Sequence, residues 1–165
     1  MWAILKFDKK NLEILKKDFY KKLGNDVKFY NPKLELKKTK KKKTFVKEIS
    51  LLNDYLLCFH KDFSKKSVLT SLKYCRGLKY FLSDFLSSQK EIEKFIIKCK
   101  KNETSTGYIL PSFFEYKKNE SYEFISGPFT NFIFNIFKEN KLSMYGVMGN
   151  YKITVSKNNY FFRSV

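Results

Sequence analysis

Near the end of the chain lies the segment Phe124-Ile125-Ser126-Gly127-Pro128-Phe129-Thr130-Asn131-Phe132, and short stretches that alternate apolar and polar residues follow it. Proline fixes its own φ angle and the preceding glycine supplies conformational freedom, so Gly127-Pro128 predicts a tight turn between two β-strands. We expect Phe129 to plug the small β-structure that follows. The segment therefore predicts an all-β tail that has this turn near its start.

Length and composition limit the possible architectures. The chain has 165 residues, of which 43% are hydrophobic, enough for one ordinary domain or for a domain of about 100 residues plus a small module. No segment approaches the roughly 20 continuous apolar residues that a membrane helix needs. The first six residues lack the basic and then apolar layout of a signal peptide. We therefore expect a cytoplasmic protein without a membrane span.

The cysteine and histidine content argues against an enzyme. The three cysteines, Cys58, Cys75 and Cys99, are odd in number and widely spaced, which is typical of reduced thiols in a cytoplasm. His60 is the only histidine, so a zinc site or a His-based triad is not expected. The sequence also lacks a phosphate-binding glycine loop with lysine and a convincing pair of acids. We predict no catalysis, no metal and no cofactor.

The net charge of +18 is unevenly distributed along the chain. Residues 1–100 carry 26 basic and 11 acidic side chains, whereas residues 120–165 carry five and three. Coding bias in an AT-rich genome explains part of the lysine excess, but such bias should spread lysine evenly. The basic front predicts that this part of the chain works close to nucleic acid.

The front of the chain alternates strand and helix patterns. Strands are predicted over residues 2–7, 27–30, 54–59 and 78–82. Helices are predicted from the Leu12, Leu15, Phe19 and Leu23 spacing before Gly24, over residues 67–75, and after the capping box Ser88-Gln89-Lys90-Glu91. The order is βαββαβα, which indicates an α+β sandwich. The lysine-rich residues 37–43 are too charged to pack and predict an exposed loop or hairpin tip.

The tail has the spacing of a small all-β module. Short strands are predicted over residues 122–126, 132–137, 141–147, 151–156 and 160–162. A polar stretch that begins near Lys101 precedes them. The predicted division is a front domain of residues 1–101, a linker of residues 102–119 and a β-barrel of residues 120–165.

Several segments together resemble one known family. The Gly127-Pro128-Phe129 turn resembles the KOW module of the NusG family of bacterial transcription elongation factors. Residues 54–59 are similar to the family's tyrosine-containing strand, and residues 70–81 are similar to its short helix, arginine-glycine junction and following strand. Length, the Arg76-Gly77 junction and the lack of an inserted domain are closer to RfaH-type paralogues. The resemblance implies a NusG-type N-terminal domain followed by a KOW barrel.

The resemblance also implies a function and its contact residues. Members of the family are not enzymes, and they bind RNA polymerase and suppress pausing or termination by bridging its cleft. Tyr55 and Leu57 share one strand face, which the resemblance places against the polymerase clamp helices. Leu69, Thr70 and Ser71 start the short helix and match the contact to the opposite jaw. From the residues alone, the first pair could equally be core and the second group a helix first turn.

Nucleic-acid contacts are expected at two places. The resemblance places Arg76, with Lys73 and Lys79 beside it, against non-template DNA. Lys41, Lys42 and Lys43 could bind phosphates of the upstream duplex. The alternatives are that Arg76 pins the end of the short helix and that the lysine run is a solvated loop.

The tail is expected to dock a small-subunit ribosomal protein or a termination factor, as KOW barrels of the family do. Phe132, Phe134 and Phe137 are expected to be mostly core, because so small a barrel needs large side chains inside. RfaH-type paralogues store this tail as a helical hairpin, but its β-prone residues favour a permanently β tail. We expect a monomer. The competing function is a basic, ribosome-associated RNA-binding protein, since KOW modules also occur in ribosomal proteins.

Overall fold

Two units divide the chain, and the computed structural model describes residues 1–40, 43–157 and 159–165. Unit 1 contains Met1–Pro32 and Ser50–Lys98, and unit 2 contains Lys33–Ile49 and Cys99–Val165. The fold is mixed α/β. Its strands and α-helices in chain order are β1 (Trp2–Phe7), α1 (Leu12–Leu23), β2 (Lys28–Tyr30), β3 (Lys33–Lys40), β4 (Lys43–Ser50), β5 (Tyr55–Phe59), α2 (Lys66–Leu72), β6 (Leu78–Phe81), α3 (Gln89–Lys101), β7 (Ser121–Phe124), β8 (Ile133–Glu139), β9 (Ser143–Met148), β10 (Tyr151–Ser156) and β11 (Phe162–Ser164).

Unit 1 is built on a four-stranded antiparallel sheet in the order β2-β5-β1-β6. Its elements follow the predicted order βαββαβα, with the β3–β4 pair as an insertion that belongs to unit 2. Strand β1 alternates in burial, and Ala3, Leu5 and Phe7 are its buried residues. This alternation gives the central strand one fully covered face and a second face that is only half-covered.

The helices pack on this sheet through a few large side chains. Leu15 and Phe19 are the buried residues of α1, and the Phe19 ring lies 6.4 Å from that of Phe81 on β6. The start of α3 is fixed to β1, because the Gln89 side-chain amide accepts from the Trp2 N–H at 2.9 Å and donates to the Trp2 carbonyl at 2.7 Å. These contacts hold α3 beside the central strand.

Strands β3 and β4 form a two-stranded sheet of their own, which we call the basic ribbon. The prediction of a loop or hairpin tip over residues 37–43 is too wide, because Lys37–Lys40 continue β3 and Lys43 begins β4, while residues 41 and 42 lie outside the described residues. The physical reason lies at the start of β3, where the alternate residues Leu34 and Leu36 are buried. They fix the first half of the strand, and its backbone pairing then continues into the lysine-rich half.

The basic ribbon is joined to the segment that precedes the tail. The Ile109 N–H donates to the Lys33 carbonyl at 2.7 Å, and Lys33 and Tyr108 form a parallel bridge. Glu48 on β4 accepts from the Tyr108 hydroxyl and pairs with Lys33 at 3.0 Å. Residues 102–119 were assigned to a linker from sequence, yet Ile109 and Tyr116 are buried. The predicted domain bounds stay a prediction.

The tail forms one antiparallel sheet in the order β10-β9-β8-β7-β11. All five strands overlap the predicted ones, and closure into a barrel stays a prediction. The core of this sheet contains Phe124, Phe134, Ile136 and Met144. Among the described residues of the whole chain, no helix is long and apolar enough to cross a membrane.

The Gly-Pro-Phe turn connects β7 to β8 as predicted. Gly127 has a φ angle of +82°, and its carbonyl accepts from the Thr130 hydroxyl at 2.7 Å. The prediction that Phe129 plugs the module is wrong, since this side chain is 42% exposed. Phe134, at 1% exposure, fills the interior instead, because alternation along β8 directs it inward.

Candidate functional site

An apolar groove of about 420 Å³ opens in unit 1 between the sheet and α3. Its walls come from the strands and the loops beside them, and from the first two turns of α3. The lining residues are Ile4, Leu52, Tyr55, Leu57, Leu82, Ser88, Glu91, Ile92 and Phe95. Glu91 is the only charged residue among them, so the groove suits an apolar occupant.

Strand register explains why Tyr55 and Leu57 meet in this groove. In the β1–β5 pair, Leu57 lies opposite Ile4 and Tyr55 lies opposite Lys6. Residues two apart along a strand share a face, so the predicted pair does lie on one side of the sheet. Leu57 is 1% exposed and forms the floor, whereas Tyr55 is half-buried and forms a wall. Leu57 is therefore also core, as the alternative interpretation expected, and the polymerase contact of this pair stays a prediction.

The polar edge of the groove is a cluster around Lys6. Its ammonium group lies 5.2 Å from the Tyr55 ring centre and 5.9 Å from that of Tyr80, and 3.6 Å from the Asp54 carboxylate. Asp54 raises the pKa of Lys6 above its usual value. The Tyr55 and Tyr80 hydroxyls are 3.4 Å apart, and this hydrogen bond raises the pKa of Tyr55. The cluster holds the Tyr55 ring in place at the groove.

Helix α2 places Leu69, Thr70 and Ser71 differently from the prediction. The helix begins at Lys66, so these residues occupy its second half and do not start it. Thr70 and Ser71 are exposed and Leu69 is half-buried. The Ser71 hydroxyl donates to the Val68 carbonyl at 2.8 Å, so it does not cap a backbone N–H group.

Arg76 follows α2 and is tied to α1. Its Nε donates to Asp18 at 3.1 Å, a terminal nitrogen donates at 2.7 Å and its backbone N–H donates at 3.0 Å. These hydrogen bonds lower the pKa of Asp18 to about 2. The alternative role of pinning the helix end is therefore present in the structure. The Arg76 side chain stays 72% exposed.

Lys73 and Lys79 lie together in a second groove of about 530 Å³. Leu69 also lines it, so the structure brings one predicted polymerase residue beside two predicted nucleic-acid residues. The remaining lining residues are Leu78, Tyr80, Phe81, Leu82, Ser83 and Phe85. Arg76 does not line this groove.

The lysine run leads to a surface that sequence reasoning did not find. Lys41 and Lys42 lie outside the described residues, and Lys43 begins β4. Beyond them, Phe45 and Val46 are 57% and 58% exposed. The sequence did contain a signal for this surface, namely two large apolar residues directly after a lysine run that was predicted to be exposed.

The basic ribbon also changes how the positive charge of the chain is divided between the two units. Unit 1 has 17 basic and 9 acidic residues, net +8, and unit 2 has 17 and 7, net +10. The sequence prediction gave the excess to the front domain. The two units share it almost evenly, because the eight lysines of residues 33–49 fold with unit 2.

The tail exposes more aromatic surface than expected. Phe132 and Phe137 are 55% and 48% exposed, so the prediction that most of the three phenylalanines are core is wrong. Alternation along β8 buries Phe134 and leaves Phe137 outside, and Phe132 lies in the turn. Together with Phe129 they give the tail a partly apolar surface.

The cysteines and histidine occupy buried positions. All three cysteines are buried thiols, and burial raises the pKa of Cys58. His60 is buried, and its Nδ1 accepts from the Asp62 N–H at 3.2 Å. Within residues 1–40, 43–157 and 159–165, no three His, Cys, Asp or Glu residues are grouped to hold a metal ion.

Comparisons with known proteins gave matches among solved structures alone. No family model matches the chain, and no curated protein matches it. The chain is similar to a chain in the crystal structure of the MjSpt4:Spt5 complex in conformation B. The identity is 15% and the TM-score 0.30, and the alignment covers 100% of this chain and 98% of that chain. For conformation A the identity is 14%, the TM-score 0.31 and the coverage 99% of each chain.

NusG of Thermotoga maritima is a third similar structure. The identity is 13% and the TM-score 0.34, and the alignment covers 94% of this chain and 91% of that chain. Similarities of this size do not establish a function for the chain. Its function has to be inferred from the grooves, the charge and the sequence motifs.

Proposed function

We propose that the chain is a transcription elongation and antitermination factor of NusG type, close to RfaH-type paralogues, that binds RNA polymerase. It acts in the cytoplasm as a monomer and works by binding, without catalysis or a cofactor. The observation that carries the proposal is the apolar groove, whose wall and floor are Tyr55 and Leu57. These are the residues that the family resemblance assigns to the polymerase clamp helices.

The groove has the properties that a helical partner requires. An apolar cleft beside a helix accepts the apolar face of another helix or the tip of a coiled coil. Tyr55 offers a large ring, which Lys6 and Tyr80 hold in position, so little side-chain entropy is lost on binding. A fixed tyrosine at the wall of such a cleft is typical of a binding hot spot.

The second polymerase contact in this proposal is α2. Thr70 and Ser71 are exposed and present polar side chains to the opposite jaw of the polymerase cleft. A factor that holds both jaws binds the closed enzyme better than the opened, paused enzyme. The difference in binding free energy shifts the population toward the elongating state.

DNA contact is assigned to Lys73, Lys79 and Arg76 for the non-template strand, and to Lys41, Lys42 and Lys43 for the upstream duplex. Arg76 uses two guanidinium nitrogens on Asp18. Some of its five N–H groups therefore stay available to phosphate. Because its charge is balanced by Asp18, the neighbouring lysines supply most of the attraction.

The tail recruits a second partner, either a small-subunit ribosomal protein or a termination factor. Phe129, Phe132 and Phe137 are exposed on it, and exposed aromatic side chains are enriched at protein interfaces. The tail forms a five-stranded β-sheet, and the resemblance to KOW modules implies that it docks its partner in this form.

One observation favours a second candidate, a ribosome-associated RNA-binding protein. The basic ribbon raises to +10 the net charge of the unit that contains the Gly-Pro-Phe turn, and such a charge is typical of RNA-binding proteins. Affinity purification of the tagged chain from a lysate separates the candidates. Polymerase subunits are the expected co-purifying proteins, and ribosomes without polymerase would favour the alternative.

A matched pair of tyrosine variants tests the polymerase groove. Tyr55→Ala removes a groove wall and should weaken binding to a clamp-helix fragment by about 2 kcal/mol, roughly thirtyfold. Tyr80→Ala removes the same inter-tyrosine hydrogen bond but leaves the groove lining complete, so it should lose only the ordering of the Tyr55 ring, about 0.5 kcal/mol. Equal binding by wild type and a folded Tyr55→Ala variant would exclude this groove.

A further inference from the structure

The basic ribbon has a charge distribution that differs between its base and its outer part. Its two acidic residues, Glu35 and Glu48, lie toward the ends of the strands, and Glu48 is engaged by Lys33 and Tyr108. Residues 37–47 contain seven lysines and no acidic residue. These outer residues therefore have a net charge of +7 in the sequence.

Burial shows that β4 is open on both faces at residues 45–48. Leu34 and Leu36, at the base, are 7% and 3% exposed. On β4, the four consecutive residues 45–48 are all exposed. Successive side chains of a strand point to opposite faces, so four exposed residues in a row mean that neither face of β4 is covered there.

Each open face presents an apolar side chain. Phe45 and Val46 are neighbours in β4, so they lie on opposite faces, and they are 57% and 58% exposed. Neither is part of the two hydrophobic core clusters. Aromatic side chains are enriched at interfaces, so an exposed phenylalanine beside a lysine-rich segment suggests a partner that offers negative charge as well as apolar contact.

The major groove of duplex DNA is such a partner. Strands in a sheet lie about 4.8 Å apart, and the groove, about 12 Å wide, admits a two-stranded ribbon. Phosphates along both walls would meet lysines, and thymine methyl groups on the base edges accept apolar side chains. A flat membrane surface or a single strand has no groove of this width.

We propose that the basic ribbon inserts into the major groove of duplex DNA, with its lysines on phosphates and Phe45 against a thymine methyl group. The inference deepens the proposed function, because it gives the upstream duplex a defined binding mode and a preference for A·T pairs. It does not depend on the Tyr55 groove.

The test measures binding of the full chain to a 20-base-pair duplex rich in A·T pairs at several salt concentrations. Lys47→Gln removes one exposed cation and should lower the slope of log K against log salt by about one. Phe45→Ala should weaken binding about fourfold, the value of one buried methyl group, and leave that slope unchanged. Lys90→Gln, on the exposed side of α3, is the control for the lysine variant.

Replacing thymine by uracil in the same duplex removes the methyl groups alone. Wild type should bind the uracil duplex about fourfold more weakly, and Phe45→Ala should bind both duplexes equally. Phe132→Ala removes a phenylalanine of similar exposure, 55% against 57%, and should bind like wild type. Tyr55→Ala should also bind DNA normally, which separates failure of this inference from failure of the polymerase groove.

Three outcomes would overturn the inference. One is a Phe45→Ala variant with unchanged duplex affinity, and another is wild-type affinity that is the same for thymine and uracil duplexes. The third is tighter, Phe45-dependent binding to single-stranded DNA or to vesicles that contain anionic lipid, which would assign the ribbon to those partners.

Discussion

Arg76 and Asp18 form a two-pronged ion pair that joins the end of α2 to α1, with the shorter contact at 2.7 Å. The Arg76 backbone N–H donates to the same carboxylate at 3.0 Å. Gly77 follows with a φ angle of +84°, and a Cβ there would come within 2.8 Å of Asn11 Cβ. The arginine-glycine junction thus has a structural role besides any role at DNA.

The first prediction concerns acid stability. Asp18 has its pKa lowered to about 2 by the Arg76 side chain and backbone, against about 3.9 in an unfolded chain. A lowered folded pKa stabilises the fold above about pH 4, and this contribution is lost as the pH falls toward 2. Asp18→Asn should therefore lower the urea midpoint near pH 6 and match wild type near pH 2. Asp26→Asn is the control, because the Asp26 carboxylate only meets an exposed lysine, at 3.4 Å. An equal fall of the urea midpoint in both variants would contradict the prediction.

The second prediction concerns the Gly-Pro-Phe turn. Gly127 has a positive φ angle, and a Cβ there would overlap the Tyr160 ring. Gly127→Ala should destabilise the tail by at least about 2 kcal/mol, through backbone strain and this overlap. Amide hydrogen exchange of β7 and β8 in the full chain measures the loss. Gly149 also has a positive φ angle, but a Cβ there would meet open space, so Gly149→Ala should destabilise the tail less. Equal destabilisation by both variants would show that the overlap with Tyr160 contributes nothing.

The third prediction concerns the Tyr116 hydroxyl. It is the one buried side-chain polar atom of the described residues that has no hydrogen-bond partner, and burial raises the pKa of Tyr116. Leaving such a group unsatisfied costs about 1–3 kcal/mol. Tyr116→Phe should raise the free energy of unfolding of unit 2 by about 1 kcal/mol, measured by urea titration or amide exchange. Tyr151→Phe, at a position 74% exposed, should change nothing, and a destabilised Tyr116→Phe variant would show that the hydroxyl has a partner.

The fourth prediction concerns the attachment of the basic ribbon. Tyr108 donates to Glu48, and this bond lowers the pKa of Glu48. Tyr108→Phe should loosen the pairing beside it, so that the Ile109 amide, bonded to Lys33 at 2.7 Å, exchanges about threefold faster. The Ile153 amide, in the β9–β10 pair, is the internal reference. Unchanged exchange at Ile109 would show that the backbone pairing holds without the tyrosine.

The fifth prediction concerns the state of the tail. Residues of β7–β11 should give β-type backbone chemical shifts in the full-length chain, and the same shifts after cleavage in the 102–107 segment. The physical reason is that Phe132, Ile133, Phe134 and Ile136 have poor helix propensity. Ile133, Phe134 and Ile136 already pair or pack in this sheet, and the Phe132 carbonyl accepts from the Phe124 N–H at 3.1 Å. Helical shifts that become β-type after cleavage would establish an RfaH-like switch.

Local patterns in the sequence were sufficient to predict most of the regular elements. Helix α1 follows from the spacing of Leu15 and Phe19 and from Gly24, and β1 and β10 have the predicted bounds. Periodicity and turn residues act over a few positions, so they can be read without knowing the partners. For the same reason the shared face of Tyr55 and Leu57 was predictable.

The tertiary structure decided which surfaces these elements make. Pairing of Lys33 with residues 108 and 109 assigns the basic ribbon, and with it the eight lysines of residues 33–49, to unit 2. Asp18 and Arg76 are 58 residues apart, and their ion pair could not be read from either neighbourhood. Inward and outward positions of Phe134 and Phe137 depend on strand register and on a bulge near the end of β8. The unit to which the ribbon belongs, the ion pair and the orientation of these phenylalanines all depend on contacts between residues that are distant in sequence. Local sequence does not specify the partners on which the free energy of packing depends.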